Sequence, residues 1–352
     1  MKKTLILTAL CLATCFASAN DYRDNDSRYK IERQKTIEKT FTVTANPTLE
    51  MEGPYSDFII TTWDKPQIDF SVKISVNGDD EKKVEAKFRS IDIEFEKEGN
   101  KISAQTEFGD YPYRSFKGDI TIRYNVRVPR DVYMDLETKY GDIILDEANH
   151  KLEADVKYGD FRAGKLKINS LQNCQVCVEY GDINIDEVNQ LYMELAYGDA
   201  KINKCDHIDG TLSYSKLFIT DMGHGKLKNK YSDTRIEKAD KVILSLTAYS
   251  NVKVRNLTDM IAADDLRYSD LSVTSTSPSP KIEIDGIYTD VVLYLDENAS
   301  FNYKLKALYG DITFKGFFNE KNISGQGSYG KDECGYLNIT TKYGDVDILK
   351  NK

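Results

Sequence analysis

Nine aspartates could act together if the fold aligned them in one column. Each follows a tyrosine by two residues, and they are Asp142, Asp160, Asp182, Asp199, Asp233, Asp270, Asp290, Asp311 and Asp345. Carboxylate oxygens are ligands that calcium prefers, so an aligned column could bridge calcium ions between repeats. Aspartate also commonly hydrogen-bonds the backbone of its own turn. Because Lys216, Asn251 and Lys331 occupy the same position in other repeats, the sequence favours the turn over a calcium site.

The twelve tyrosines of the repeats, nine of which precede these aspartates, form a second candidate column. They are Tyr140, Tyr158, Tyr180, Tyr197, Tyr214, Tyr231, Tyr249, Tyr268, Tyr288, Tyr309, Tyr329 and Tyr343. An exposed strip of aromatic rings could bind sugars, whereas inward rings would pack in a core. The alternation of apolar residues before each tyrosine places the ring on the inward side. We therefore expect core packing.

Catalytic motifs are sparse. The three histidines, His150, His207 and His224, form no His-Glu-x-x-His motif, and the sequence contains no Gly-x-Ser-x-Gly elbow. Acidic residues are so frequent that a carboxylate pair for glycoside cleavage could be drawn almost anywhere. We therefore predict a protein that is not an enzyme and that uses no cofactor.

The cysteines have a structural and a metal-binding interpretation. Four lie beyond the N-terminal segment, at Cys174, Cys177, Cys205 and Cys334. Cys174 has the inward parity of its strand, which predicts a small apolar core residue. A zinc site would join Cys174, Cys177, Cys205 and His207. However, Cys174 and Cys177 have opposite parity on one strand, so they would not converge on a tetrahedral ion.

The spacing of the tyrosines predicts the architecture. They recur every 14 to 22 residues, and a repeat of this length is typical of a solenoid. Apolar residues alternate on both sides of the tyrosine, as Val176 and Val178 do before Tyr180 and Ile183 and Ile185 do after it. This alternation predicts two strands joined by a turn in each repeat. Twelve repeats stacked through parallel ladders would form a rod on the order of 50 Å long.

The residue after the tyrosine is always small. It is glycine in seven repeats, serine in four and Thr289 in one. A β-branched residue such as threonine would be an outlier at positive φ. The position is therefore expected to require a small side chain rather than a left-handed backbone.

The N-terminus has the layout of a secretory signal peptide. Lys2 and Lys3 precede an apolar run, and Ala17-Ser18-Ala19 offers a cleavage site, which predicts a signal peptide over residues 1–19. The alternative is a lipoprotein anchored at Cys15. The charged residues 20–36 lack periodicity and predict a flexible leader. No other segment is apolar and long enough for a membrane-spanning helix.

Residues 37–135 contain longer strands outside the short repeat. Alternation predicts strands over 68–76 and 120–128, a hairpin turning at Gly99 and a short helix between Asp79 and Arg89. Tyr55-Ser56-Asp57 is the first copy of the repeat. We expect this region to cap the solenoid formed by residues 136–352, because an open sheet end invites edge-to-edge pairing.

The charge excludes one class of partner. The formal net charge is −9, and it becomes −11 when Lys2 and Lys3 are removed with the signal peptide. An acidic chain without a dense stripe of lysine and arginine lacks the electrostatic footprint of a nucleic-acid-binding protein.

Several segments together resemble a known family. They are Gly53-Pro54-Tyr55-Ser56-Asp57, Thr61-Thr62-Trp63-Asp64, Val126-Arg127-Val128-Pro129-Arg130-Asp131-Val132 and the Tyr-Gly-Asp repeats. From Ile37 to Leu349 the sequence is similar to the Bacteroidetes envelope proteins called putative adhesins, relatives of the head GIN domain. The resemblance implies a right-handed parallel β-helix-like fold and provides no catalytic residues to transfer.

These observations lead to one prediction and two alternatives. We expect an all-β, single-stranded parallel β-solenoid with an N-terminal β-rich cap, exported across the inner membrane to the cell surface, outer membrane or periplasm. The leading hypothesis is a non-enzymatic adhesin that binds a surface protein or glycan. The alternatives are a periplasmic structural or regulatory interaction module and, less favoured, a polysaccharide-active β-helix enzyme.

Overall fold

The computed structural model describes residues 29–318, 324–331 and 335–351. The predicted signal peptide, Cys15, most of the predicted leader and Cys334 lie outside the described residues. The described chain is a β-solenoid with a single α-helix, α1 (Glu81–Arg89), and the predicted fold class is confirmed. No helix among these residues is long and apolar enough to cross a membrane.

The strands fall into three groups along the chain. The N-terminal strands are β1 (Ile31–Thr42), β2 (Thr48–Pro54), β3 (Ser56–Trp63), β4 (Gln67–Gly78), β5 (Ile91–Glu98), β6 (Lys101–Phe108) and β7 (Gly118–Pro129). The central strands are β8 (Tyr133–Lys139), β9 (Ile143–Ala148), β10 (Leu152–Lys157), β11 (Phe161–Leu166), β12 (Cys174–Glu179), β13 (Ile183–Ala196), β14 (Asp199–Ser213), β15 (Lys216–Lys230), β16 (Asp233–Ile236), β17 (Ala239–Ala248), β18 (Asn251–Arg267), β19 (Asp270–Ser275), β20 (Lys281–Ile287) and β21 (Val291–Leu295). The C-terminal strands are β22 (Phe301–Leu308), β23 (Ile312–Lys315), β24 (Gly325–Tyr329), β25 (Gly335–Lys342) and β26 (Val346–Lys350).

Each repeat forms one rung, which we name by its tyrosine. A first strand ends just before the tyrosine, a second strand begins just after it, and both pair in parallel with the next rung. In β13, β14 and β15, for example, Ile183 lies beside Ala200, which lies beside Leu217. The inward residues of all rungs form one apolar core that runs the length of the solenoid. Because no rung can bury this side alone, stacking stabilises the structure.

The N-terminal region surrounds the first rung. β2 and β3, on either side of Tyr55, pair in parallel with β8 and β9 of the next rung. On their other side they pair in parallel with β6 and β7. β4 is antiparallel to both β1 and β7, and α1 packs on β1 and β4. The predicted short helix and the β5–β6 hairpin are confirmed.

One predicted boundary is wrong. The leader was expected to extend through residue 36, but β1 begins at Ile31 and pairs with β4 along its whole length. The half-buried positions of β1 are occupied by Ile31, Arg33, Lys35, Ile37 and Phe41, so two of the five are charged. Pairing with a long neighbouring strand therefore orders a segment whose sequence lacks a clear apolar period.

The last repeat does not lie at the end of the stack. β25 pairs in parallel with β20 on one side and with β22 on the other, and β26 lies in the same way between β21 and β23. β24 pairs antiparallel with β22. The final repeat thus inserts between two earlier ones, and Tyr329, which lies in β24, does not belong to a rung.

Candidate binding site

Twelve tyrosine rings form one uninterrupted stack along a corner of the solenoid. Adjacent ring centroids are 4.7–5.2 Å apart and adjacent ring planes differ by 1–22°. We call this stack the tyrosine ribbon; in spatial order it contains Tyr55, Tyr140, Tyr158, Tyr180, Tyr197, Tyr214, Tyr231, Tyr249, Tyr268, Tyr288, Tyr343 and Tyr309. Its eleven spacings together come to roughly 54 Å, close to the expected length of the rod.

The ribbon faces solvent, so the prediction of inward tyrosines is wrong. Eleven of the side chains are 40–52 % exposed, and Tyr309 at the end is 78 % exposed. All twelve residues have a left-handed backbone, with φ between 51° and 64°. This conformation breaks the alternation at the tyrosine itself. The residue two positions earlier points inward, and the tyrosine points outward.

The stack determines which parts of each ring a partner can reach. Since neighbouring rings cover one another's faces, the ribbon presents ring edges and hydroxyl groups. Within the described residues, none of the twelve hydroxyls hydrogen-bonds to another protein group. At one end Phe108 packs edge-on against Tyr55, with centroids 5.9 Å apart. At the other end, no described ring stacks on the outer face of Tyr309.

Charged side chains lie on both sides of the ribbon. The residue before the tyrosine is basic in five of the twelve rungs and Glu179 in another, and the ammonium groups of Lys139 and Lys342 lie 5.2 and 5.0 Å from the ring centroids of Tyr140 and Tyr343. The residue two positions after the tyrosine is usually aspartate. The ribbon therefore has a nearly continuous acidic edge on one side and scattered basic residues on the other.

The small residue after the tyrosine is required by close contact between rungs, as predicted. A Cβ atom added to Gly181 would lie 1.8 Å from the carbonyl oxygen of Gly159 in the preceding rung. Gly181 does not have a positive φ. Steric exclusion, and not backbone conformation, therefore selects glycine here.

Serine replaces glycine in four consecutive rungs, from Tyr214 to Tyr268, and makes a different contact. Ser215, Ser232, Ser250 and Ser269 are buried. The Ser232 hydroxyl donates to the carbonyl of Lys230 (2.9 Å) and accepts from the backbone N–H of Ser215 (3.1 Å). The same pattern repeats with Ser250 and Ser269. A hydroxyl ladder thus replaces the glycine contact inside these corners.

The aspartates bond to the next rung, and the expectation that each bonds its own turn is wrong. Asp142 Oδ1 accepts from the N–H of Asp160, and Asp160 Oδ1 accepts from the N–H of Asp182, both at 2.9 Å. Equivalent bonds reach Asp199, Asp345 and Asp311 in their rungs. Asp233 accepts from Asn251 in the same way. Asp270 and Asp290 occupy the same column, and Lys216 interrupts it. These carboxylates act as ties between rungs.

Family comparison agrees with this architecture. Residues 22–349 match the family described as Toastrack DUF4097. The chain belongs to the Toastrack DUF4097 family. No curated protein matches this Toastrack chain. The resemblance to the head GIN domain and the Tyr-Gly-Asp repeat as a family signature stay predictions.

The solved structures that this Toastrack chain matches have low sequence identity to it. A putative cell adhesion protein from Clostridium sporogenes is 13 % identical, with 91 % of this chain and 100 % of that chain covered and a TM-score of 0.21. A putative lipid binding protein from Parabacteroides distasonis is 13 % identical, with coverage of 73 % and 96 % and a TM-score of 0.36. A putative adhesin from Bacteroides fragilis is 11 % identical, with coverage of 90 % and 97 % and a TM-score of 0.30.

Two of the three described cysteines lie in the core of the Toastrack chain, and the third lies on the outer face of its strand. Cys174 is buried, as predicted, and so is Cys205. Burial raises the pKa of both thiols to about 12. Cys177 is half-buried on the other face of β12, and burial, followed by Glu194 and Asp155, raises its pKa to about 11. These thiols are therefore poor nucleophiles at neutral pH. Among the described residues, no group of three or more His, Cys, Asp or Glu side chains could hold a metal ion.

A groove that the sequence did not predict runs beside the aspartate column of the Toastrack chain. It has a volume of about 870 Å³ and extends from rung Tyr180 to rung Tyr268. Side chains two residues after the tyrosine form one wall, and side chains four residues after it form the other. The aspartates of the first wall recur with the repeat, but the residues four positions after the tyrosine vary in type, so the lysines and Phe218 do not stand out in the sequence.

Proposed function

We propose that this chain is a non-enzymatic binding protein of the cell envelope, of the adhesin class, and that the tyrosine ribbon contacts its partner. The observation that carries the proposal is the ribbon itself: twelve exposed aromatic residues in one row, all in a left-handed conformation. Conformations that are rare for such residues are concentrated at functional sites.

Ring stacking alone does not explain the choice of tyrosine. The left-handed conformation costs an L-residue roughly 1–2 kcal/mol, whereas stacking returns about 0.5–1.5 kcal/mol per aromatic pair. The two terms nearly offset each other. Asparagine or glycine would adopt the same backbone with less strain. What tyrosine adds at these positions is therefore the aromatic surface that the rings form.

The ribbon is large enough for a protein interface. A tyrosine presents on the order of 200 Å² when fully exposed, so twelve half-exposed rings offer roughly 1,000 Å². A typical specific interface uses about 800 Å² per partner. Tyrosine also provides a rigid, amphipathic contact area at low cost in conformational entropy, which is why antibody binding sites are rich in it.

The orientation of the rings favours a protein partner at the ribbon over a sugar. Sugars stack on open ring faces, but neighbouring tyrosines cover these faces at spacings of 4.7–5.2 Å. Ring edges and hydroxyls, by contrast, can contact apolar side chains and backbone carbonyl groups. The flanking charged side chains add the polar rim expected of such an interface.

The location of the protein separates an adhesin from a periplasmic interaction module. The experiment is proteinase K treatment of intact cells that produce the native protein, with a known periplasmic protein as the protected control. We expect cleavage on intact cells while the control survives. Protection of both proteins until the cells are lysed would contradict the adhesin assignment and favour a periplasmic partner.

A further inference from the structure

In a preceding rung, one side chain fills the space that the groove leaves open. In rung Tyr158, Arg162 lies four residues after the tyrosine and reaches across to the aspartate column. Its guanidinium pairs with Asp160 of its own rung and with Asp142 of the preceding rung. This side chain fills the space between the two walls.

Lys201 occupies the position of Arg162 two rungs further along. Arg162 lies beside Asn184, which lies beside Lys201, so the three residues form one column. Among the described residues, Lys201 forms no ion pair with Asp182 or Asp199, although these correspond to the two partners of Arg162. The channel that Arg162 closes is therefore open from rung Tyr180 onward, where the cavity of about 870 Å³ lies.

The groove lining contains equal numbers of carboxylates and cationic side chains. Its lining contains the carboxylates Asp182, Asp199, Asp233 and Asp270, and the cations Lys201, Lys216, Arg235 and Lys253. Asp182 uses one oxygen to accept from the N–H of Asp199. Within the described residues, Lys201, Lys216 and Lys253 have no ion-pair partner. The formal charge of the lining is zero, so polyanions and polycations would each be repelled by half of it.

An apolar patch lies in the middle of the groove. Phe218 is half-buried in the wall that contains Lys201, and the guanidinium carbon of Arg235 lies 5.6 Å from its ring centroid. Unlike the rings of the ribbon, Phe218 is not stacked against another aromatic ring within the described residues. Arg235 lies over one face of this ring, and the rest of the ring offers an apolar contact to the C–H groups of a pyranose.

From these features we infer that the groove binds a neutral, linear oligosaccharide that extends along the solenoid axis. Sugar hydroxyls both donate and accept hydrogen bonds, which matches carboxylates and ammonium groups placed on opposite walls. The open ends suit an extended chain, and the volume is in the usual range of ligand sites. The inference rests on the proposed binding role but uses a surface separate from the tyrosine ribbon.

The groove can be closed with a contact that the protein already uses. In Lys201→Arg, the new guanidinium should pair with Asp182 and Asp199 as Arg162 pairs with Asp142 and Asp160. Phe218→Ala removes the apolar patch and leaves the channel open. Lys226→Arg, on the exposed side of β15 away from the groove, is the matched control.

The test is isothermal titration calorimetry of the purified full chain with hexamers of glucose, N-acetylglucosamine, mannose and xylose, and with an acidic hexamer of galacturonate. We expect the wild type and Lys226→Arg to bind at least one neutral hexamer equally. Lys201→Arg and Phe218→Ala should each weaken that binding by tenfold or more.

Three outcomes would overturn the inference: no neutral hexamer binds, only the galacturonate hexamer binds, or both groove variants bind as the wild type does. Circular dichroism of each variant shows whether it is folded. Because purified protein is used and the ribbon is unchanged, any of these outcomes leaves the intact-cell experiment and the proposed protein interface standing.

Discussion

Two regions of the solenoid build the same corner with different atoms. In the rungs from Tyr140 to Tyr197, glycine follows the tyrosine and an aspartate oxygen accepts the N–H of the next rung. In the rungs from Tyr214 to Tyr268, serine follows the tyrosine and its buried hydroxyl makes the bond between rungs. The tyrosine rings stack without interruption through both regions.

This difference distinguishes the residues that hold the corner together from the residue that forms the exposed surface. In the serine rungs Lys216 and Asn251 interrupt the aspartate column, and among the described residues of these rungs only Asp233 accepts the N–H of the next one through its side chain. The aspartates therefore mainly tie rungs together, and the serine hydroxyls take over most of that role. The tyrosine is retained with either solution, although its left-handed backbone is strained. A side chain that persists when its structural neighbours change is the better candidate for binding.

A glycine corner should not tolerate an added methyl group. Gly181→Ala places a Cβ atom 1.8 Å from a carbonyl oxygen of the packed ladder, so the rungs must separate. We expect a loss of about 3 kcal/mol or more in the free energy of unfolding, measured by urea denaturation. Gly99→Ala is a useful comparison, because nothing lies within 4 Å of its added Cβ atom although its φ is +61°. A stability like that of the wild type would refute the steric role of Gly181.

The serine corner should tolerate its substitution better. Ser232→Ala removes the acceptor of the buried Ser215 N–H and the bond to the Lys230 carbonyl. A buried donor left without a partner costs about 1–3 kcal/mol, so we expect a loss of about 2 kcal/mol in the same assay. Ser328→Ala, at an exposed position in β24, is the control. If Ser232→Ala were as stable as this control, the hydroxyl ladder would not stabilise the corner.

The smallest expected effect concerns three acidic residues on adjacent strands, Glu50, Asp135 and Glu153. Asp135 lies between Glu50 and Glu153 on adjacent strands. Burial, followed by the charges of Glu153 and Glu50, raises the pKa of its carboxyl. A raised pKa means that the folded state favours the protonated acid, so this contribution to stability is present at low pH and is lost as pH rises through the folded-state pKa.

Asp135→Asn should therefore match the wild type near pH 3 and be more stable at pH 7. The gain should be only a few tenths of a kcal/mol, because the carboxyl is only partly withdrawn from water and solvent screens its charge. Urea denaturation at the two pH values measures it. At the equivalent position of rung Tyr231 the residue is Lys226, so Lys226→Gln should show no gain at pH 7. An equal gain in both variants would contradict the explanation by these acidic residues.

The sequence predicted the solenoid because its signal is periodic. Inward residues such as Val178, Ile183 and Cys174 alternate within each strand, and the tyrosine marks the repeat length. The core and the parallel pairing follow from these two periods. The first rung at Tyr55 could be recognised in the same way, since it repeats the tyrosine, small residue and aspartate.

The direction of the tyrosines could not be obtained from alternation. Counting inward positions assumes an extended backbone, and one left-handed residue reverses every side chain that follows. The change of parity around the tyrosine did indicate an irregular residue, but a bulky aromatic is an uncommon choice for this conformation. The glycine beside it has no positive φ and its role is steric, as the serines and Thr289 at the same position predicted.

The position of the last repeat and the bonds of the aspartates depend on pairing between distant segments. β25 and β26 lie between two earlier rungs, and the antiparallel strand β24 removes Tyr329 from the series. Neither arrangement changes the local pattern of the sequence. Likewise, an aspartate that bonds the next rung has the same neighbours in sequence as one that bonds its own turn.

The most direct test of the account replaces three central tyrosines, in the combined variant Tyr214→Asn, Tyr231→Asn and Tyr249→Asn. Asparagine adopts the left-handed backbone readily, which offsets part of the stacking and burial that the three rings contribute, and circular dichroism with urea denaturation establishes that the variant is folded. Beads coated with either protein are incubated with intact bacterial cells and with immobilised extracellular-matrix proteins. The account predicts that wild-type beads bind at least one of these surfaces and that the folded variant does not. Equal binding by both proteins, or no binding by the wild type, would contradict a role for the ribbon as the binding surface.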